Sequence, residues 1–119
     1  MRRALAVCLA LVLAAPGAAQ ERATRADGAI LRGLDRVNGH TRDFDLDTGD
    51  AAVFGTLRVR LDECRYPSEN PDGDAYAFLT IHDTVKDVRI FSGWMLASSP
   101  ALNPLEHHRF DVWVLRCKI

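Results

Sequence analysis

The stretch AILRGLDRVNGHTRDFDLD, residues 29–47, decides the fold class. Its arms, AILRGLDRV and HTRDFDLD, lie either side of Asn38-Gly39, two residues that tolerate the positive φ of a type I′ turn. In the second arm Phe44 and Leu46 fall on one face of an extended chain, and Asp43, Asp45 and Asp47 on the other. A period of two rather than 3.6 predicts a β-hairpin with one dry face and one wet face.

The same pattern extends outward from the hairpin. Residues 47–50, DTGD, read as a turn. In AAVFGTLRVRLDE (51–63) Leu57, Val59 and Leu61 alternate with Arg58, Arg60 and Asp62, and Gly55 marks a bulge or bend. The Pro/Asn/Asp/Gly-rich RYPSENPDGDA (65–75) is expected to be loop and not to continue a strand. YAFLTIHD (76–83) is the most continuously apolar strand, which predicts a central place with both faces covered. DTVKD (83–87) is a turn and VRIFSGWML (88–96) the returning strand. In ASSPALNPLEHHR (97–109) Pro100 and Pro104 allow at most one helical turn. FDVWVLRC (110–117) closes the chain, with Trp113, Leu115 and Cys117 expected on one face and Val112 and Val114 on the other. There is no amphipathic helix, no internal repeat and no low-complexity tract. The reading is a single all-β domain over 29–119, a small antiparallel β-sandwich or barrel of six to seven strands.

The N-terminus reads differently. Arg2 and Arg3 precede an unbroken apolar run from Leu5 to Ala15, Pro16-Gly17 breaks it, and Gly17-Ala18-Ala19 supplies small residues. This is the pattern of a secretory signal peptide over 1–19, and its apolar run is shorter than the roughly 20 residues of a spanning helix. The expected destination is the periplasm, with no stable membrane insertion after cleavage. Leu5-Ala6-Val7-Cys8 resembles a lipoprotein box, but Val7 is bulky for the position before the cysteine and the apolar stretch ahead of Cys8 is too short. Residues 20–28, QERATRADG, are polar and patternless and predict a flexible leader. Without 1–19 the chain has 100 residues, 13 Lys+Arg against 16 Asp+Glu, and a net charge of −3. No basic block stands in the sequence, so nucleic acid and anionic surfaces are not the expected partners.

Export also governs the cysteines. Cys64 and Cys117 are an even pair in an oxidising compartment, without a C-x-x-C or other ligand spacing, so a disulfide is the default reading. Closing that loop would contribute about 4 kcal/mol on the chain-entropy model.

Several side chains could carry chemistry. Ser98 or Ser99 as nucleophile, His107 or His108 as base and Asp111 as orienter would make a hydrolase set, but the serines lack a G-x-S-x-G elbow. Adjacent His107 and His108 diverge on an extended chain, while His40 and His82 are isolated, so no metal site is expected. SENPDGD (68–74) offers Glu69, Asn70, Asp72 and Asp74 as oxygen ligands, yet Pro71 breaks the calcium-loop pattern and a structural loop is the default. No residue pattern implies a cofactor. What remains is surface recognition. Tyr66, Trp94, Ser98, Ser99, His107 and His108 form the candidate binding surface, beside the 65–75 and 97–109 loops.

The segments GAILRGLDRVNGHT, CRYPSENPDGDAYAFLTI and FSGWMLASSPALNPLEHHRFDVWVLRC resemble a family of small exported proteins of Gram-negative bacteria, domain of unknown function family 2155. The resemblance covers about Asp27 to Cys117, and its motifs C-R-Y-P, D-A-Y-A-F-L, G-W-M-x-A-S-S-P-A-L and D-V-W-V-L-x-C are specific. It implies export and paired cysteines at Cys64 and Cys117, and it carries no assigned activity or catalytic residue. The functional expectation is a non-enzymatic periplasmic binding or envelope-assembly module whose partner is an envelope protein or a cell-wall component. An accessory structural subunit of an envelope complex is the alternative, and a small hydrolase using Ser98/Ser99 and His107/His108 is a third.

Overall fold

Alternating burial in almost every strand sorts the chain into two layers. The computed structural model describes residues 22–119; the signal-peptide reading of 1–19 lies outside the described residues. The strands are β1 (Ala23–Arg25), β2 (Gly28–Asp35), β3 (Thr41–Asp47), β4 (Ala51–Phe54), β5 (Leu57–Pro67), β6 (Tyr76–Asp83), β7 (Val88–Leu96) and β8 (Phe110–Lys118). One antiparallel sheet has the order β1-β5-β6-β7, with β4 also paired to β5, and the other the order β3-β2-β8. Phe44 and Leu46 of β3, Leu57, Val59 and Leu61 of β5, and Leu79 and Ile81 of β6 turn inward and are buried between the layers. The all-β sandwich expected from the period-two pattern is the fold.

Among the described residues there are eight strands rather than six or seven, and each difference has a local cause. Residues 23–25, within the expected flexible leader, form β1 by pairing Ala23, Thr24 and Arg25 with Pro67, Tyr66 and Arg65. The same pairing carries β5 through Arg65-Tyr66-Pro67, the first residues of the expected 65–75 loop. Pro67 is tolerated because it ends the strand, where no further ladder donor is needed. Gly55, at φ 58°, turns the chain between β4 and β5, so the expected bend is a hairpin turn joining two strands. At Asn38-Gly39 only Gly39 takes positive φ, 74°. Gly39 N–H donates to the Asp35 carbonyl at 2.8 Å and Asp35 N–H to the His40 carbonyl at 2.9 Å, giving a four-residue loop in place of a type I′ turn.

Two face assignments are also corrected. In β8 the register against β2 slips between Ile30 and Leu31, leaving Leu115 as an extra residue. That bulge shifts the phase by one, so Cys117 is buried on the side of Val112 and Val114, while Trp113 faces outward and is half-buried. β6 is central, as expected, but only Ala77, Leu79, Ile81 and Asp83 are buried; Tyr76, Phe78, Thr80 and His82 make a half-buried outer face.

The core is a wedge. Cys64 of β5 and Cys117 of β8 are disulfide-bonded across the two sheets, with Cα atoms 5.8 Å apart. Stacked sheets ordinarily lie about 10 Å apart. The sheets therefore converge at the bridge, where Ala29 pairs with Cys117 and Ala77 with Cys64, and buried alanines fill the thin space. The thick end holds the rings. Phe54 stands edge-on to Phe44 and Phe110, each at 5.5 Å between centroids, and the His107 ring lies 5.3 Å from Phe110. Leu105, in the crossing between β7 and β8, is also buried, at 2% exposure. Its neighbours in sequence are polar or proline, so no periodicity marked it as core.

Candidate functional site

The six residues of the expected binding surface do not come together. Tyr66 is half-buried and packs against the core. Trp94 is on the outer face of the β5-β6-β7 sheet, its ring edge-on to Phe78 at 5.3 Å and under the Arg65 guanidinium at 5.9 Å. Ser98 is at the narrow end. Its Oγ–H donates to Asp74 Oδ2 at 2.6 Å and its amide to Asp74 Oδ1 at 3.0 Å, beside a cleft lined by Leu115, Arg116 and Cys117. Ser99 is exposed and is engaged through its backbone, its amide donating to the Leu96 carbonyl at 3.2 Å and its carbonyl accepting the Leu102 amide at 3.0 Å. His107 and His108 stack at 4.5 Å at the wide end, next to Phe110.

Since Ser98 neighbours the last residues of β8 and His107 the first, roughly 20 Å of extended strand separates them. The Ser–His pairing needed for the hydrolase set is not formed, and the hydroxyl of Ser98 belongs to Asp74. Asp74 is thereby committed: its two oxygens hold Ser98 and the Ala75 amide, which ties the 65–75 loop to the crossing. Among the described residues no three His, Cys, Asp or Glu side chains converge on a possible metal position.

His107 has a structural task. Its Nδ1 accepts the amides of Arg109 and Phe110, both at 3.0 Å, so the ring proton resides on Nε2 and the ring pins the chain as it enters β8. Burial, followed by the neighbouring His108, pushes its pKa down. Asp35, 8% exposed, receives Arg109 through Nη2 at 2.9 Å and Nε at 3.2 Å, and also the Val37 amide; the Arg109 contact holds its carboxyl below the usual range. Asp83, 5% exposed, accepts the Val85 and Lys86 amides at 3.0 Å, and these, the Lys86 amide foremost, lower it likewise.

The signs of these shifts agree. A lowered folded-state pKa makes stability fully present above the unfolded value and lost as pH falls through it. For His107 that loss begins below about pH 6.5, and for Asp35 and Asp83 below about pH 4. Urea midpoints measured from pH 8 to pH 3 should therefore fall in two steps. His107→Asn keeps an acceptor and removes the titration, so it should erase the upper step and leave the lower one. An unchanged upper step in that variant assigns the step elsewhere.

A recess on the outer surface lies between the crossing and β8. It encloses about 390 Å³ and is lined by Pro100, Ala101, Pro104, Asp111 and Trp113. Leu102, 71% exposed, stands in the same crossing. The groove is apolar except for the Asp111 carboxylate, which Arg36 holds at 3.3 Å. The period-two pattern put Trp113 on the same face as Cys117, and the β8 bulge separates the two, leaving the Trp113 ring outward. One signal was present: four lining residues, Pro100, Ala101, Asp111 and Trp113, fall in the GWMLASSPAL and DVWVLRC segments that carry the family resemblance.

Fold and groove together define a small disulfide-clamped β-sandwich with an apolar, Trp113-lined groove beside its last strand. The chain belongs to the family described as an uncharacterized protein conserved in bacteria (DUF2155), whose model matches residues 29–117. A curated relative, the uncharacterized protein RP359 of Rickettsia prowazekii (strain Madrid E), is 26% identical over 94 residues, covering 76% of this chain and 60% of the relative. The chain thus matches less than two thirds of that relative's length. No solved structure matches significantly.

Proposed function

We propose that the chain is exported to the periplasm and acts there as a non-enzymatic recognition module, holding an extended peptide segment of an envelope protein in the Trp113 groove. The observation that carries the reading is the groove itself. An indole flanked by two prolines, with one carboxylate at the rim, suits an extended, proline-compatible backbone, because such segments dock on aromatic-lined grooves at low entropic cost. The Arg2-Arg3 start, the apolar run and the Ala19 boundary support export, as does a disulfide in a domain this small.

A photo-crosslinking residue at Leu102 tests this in the native envelope. The expected product is one discrete protein adduct in the periplasmic fraction. Its yield should fall roughly tenfold or more with Trp113→Ala, the size expected for an aromatic anchor, while the same probe at Thr48 gives none. An adduct indifferent to Trp113, or equal at both probe positions, overturns the reading.

A further inference from the structure

The wide end of the wedge carries a feature that the groove does not use. Asp35-Arg36-Val37 and Asp83-Thr84-Val85 are the same device on two hairpins. In each, a buried aspartate accepts through Oδ1 the amide of the valine two residues on, at 3.0 Å. The result in each is a valine held out at the turn, Val37 at 74% and Val85 at 76% exposure. A turn that needs only a solvated tip has no use for valine, whose exposure is unfavourable and whose β-branching suits strands.

Both tips belong to one end of the sandwich. Arg36 N–H donates to the Arg109 carbonyl at 2.8 Å and Arg36 Nη1 to the His107 carbonyl at 2.8 Å. His107 in turn lines a recess with Val85, Lys86 and Thr56. On the adjoining outer face a row crosses four strands, Val53 beside Arg58, Arg58 beside His82, and His82 beside Arg89. Arg58 and Arg89 are exposed and make no ion pair among the described residues. Lys86 is exposed next to Val85, and Val88 is 45% exposed. Among the carboxylates here Asp35 and Asp83 are buried under the tips, and Asp111 is half-buried against Arg36. Asp87 is exposed beside His82, at 2.9 Å. Glu106, next to His107, is exposed as well, so the fold sets Arg58, Lys86, Arg89 and the two valines outside against two exposed carboxylates, with Asp35 and Asp83 buried. Arg58 comes from β5, Lys86 from the turn before β7 and Arg89 from β7, so no basic block is visible in the sequence.

We propose that this end docks on an anionic phospholipid bilayer, with Val37 and Val85 entering the headgroup region and Arg58, Lys86 and Arg89 facing the lipid phosphates. Two apolar tips, with Lys86 beside Val85 and Arg58 and Arg89 on the adjoining face, match that interface in both hydrophobicity and sign. Each Lys or Arg near such a surface adds to attraction that salt screens. The inference does not depend on the Trp113 groove, which opens on a different face.

Sedimentation of the full chain with vesicles tests it. Vesicles of phosphatidylcholine with one third phosphatidylglycerol should bind the chain at least tenfold more strongly than pure phosphatidylcholine, and 0.5 M salt should remove most of that difference. Arg58→Glu/Lys86→Glu/Arg89→Glu should weaken anionic binding about a hundredfold or more, and Val37→Asp/Val85→Asp at least tenfold. Arg22→Glu, next to Ser68 at the other end, should leave it unchanged. Residues 1–19 are common to all these proteins, so binding that survives both multiple variants belongs to that segment and overturns the proposal. Absence of an anionic preference overturns it too, as does full competition by millimolar inorganic phosphate, which would mark a small-anion site.

Discussion

Removing the Cys64–Cys117 bridge by Cys64→Ser/Cys117→Ser should lower the melting temperature by about 20 °C. A loop with a sequence separation of 53 residues is worth about 4 kcal/mol on the chain-entropy model. In a domain of about 100 residues each kcal/mol moves the midpoint by some 4–8 °C. The packing argues for the high side of the effect. The bridge sits where the sheets are closest and the core is mostly alanine, so little aromatic or branched surface there can hold the layers once the bond is gone. Calorimetry of the double variant beside the reduced parent measures this. A drop of only a few degrees would mean that the narrow end holds by packing alone.

Gly55→Val should be nearly as damaging, by about 3–4 kcal/mol. A Cβ at this position would lie 2.2 Å from Phe110 Cζ, and the backbone is at φ 58°, where a β-branched residue is strained. Phe110 cannot retreat, because it is buried at 3% exposure between Phe54 and His107. Gly55→Ala separates the parts: it keeps the clash and the positive φ but adds no further branches, so its urea midpoint should lie between those of Val and the parent. If Ala costs nothing, Phe110 has room that its neighbours do not show.

Residues 41–47 announced the layer structure because inward Phe44 and Leu46 each had an aspartate on either side, and that alternation has one structural meaning. The same rule failed in β8, where one extra residue at Leu115 exchanges the faces on either side of it. Periodicity has no means of locating a bulge. β1 was illegible for another reason: Ala23-Thr24-Arg25 has no pattern of its own and is a strand only because β5 offers it an edge. For the candidate site, the serines and histidines were near in sequence but are held at opposite ends of a strand. The Trp113 groove needed the bulge to be known, and the paired Asp-x-Val tips needed the two hairpins to be seen side by side. The bridge was legible because an even pair of cysteines without C-x-x-C or ligand spacing, read together with the expected export, points to it.

Cys64 and Cys117 also close a covalent ring that takes in the end of β5, all of β6 and β7, the crossing and most of β8. β2 and β3 stay outside it, attached to the ring's β8 by hydrogen bonds and packing alone. A protease cut in the exposed 84–87 turn therefore leaves one molecule that separates only after reduction. A cut at 48–50 yields a fragment that denaturant alone removes, and with it every partner of β8 in its own sheet.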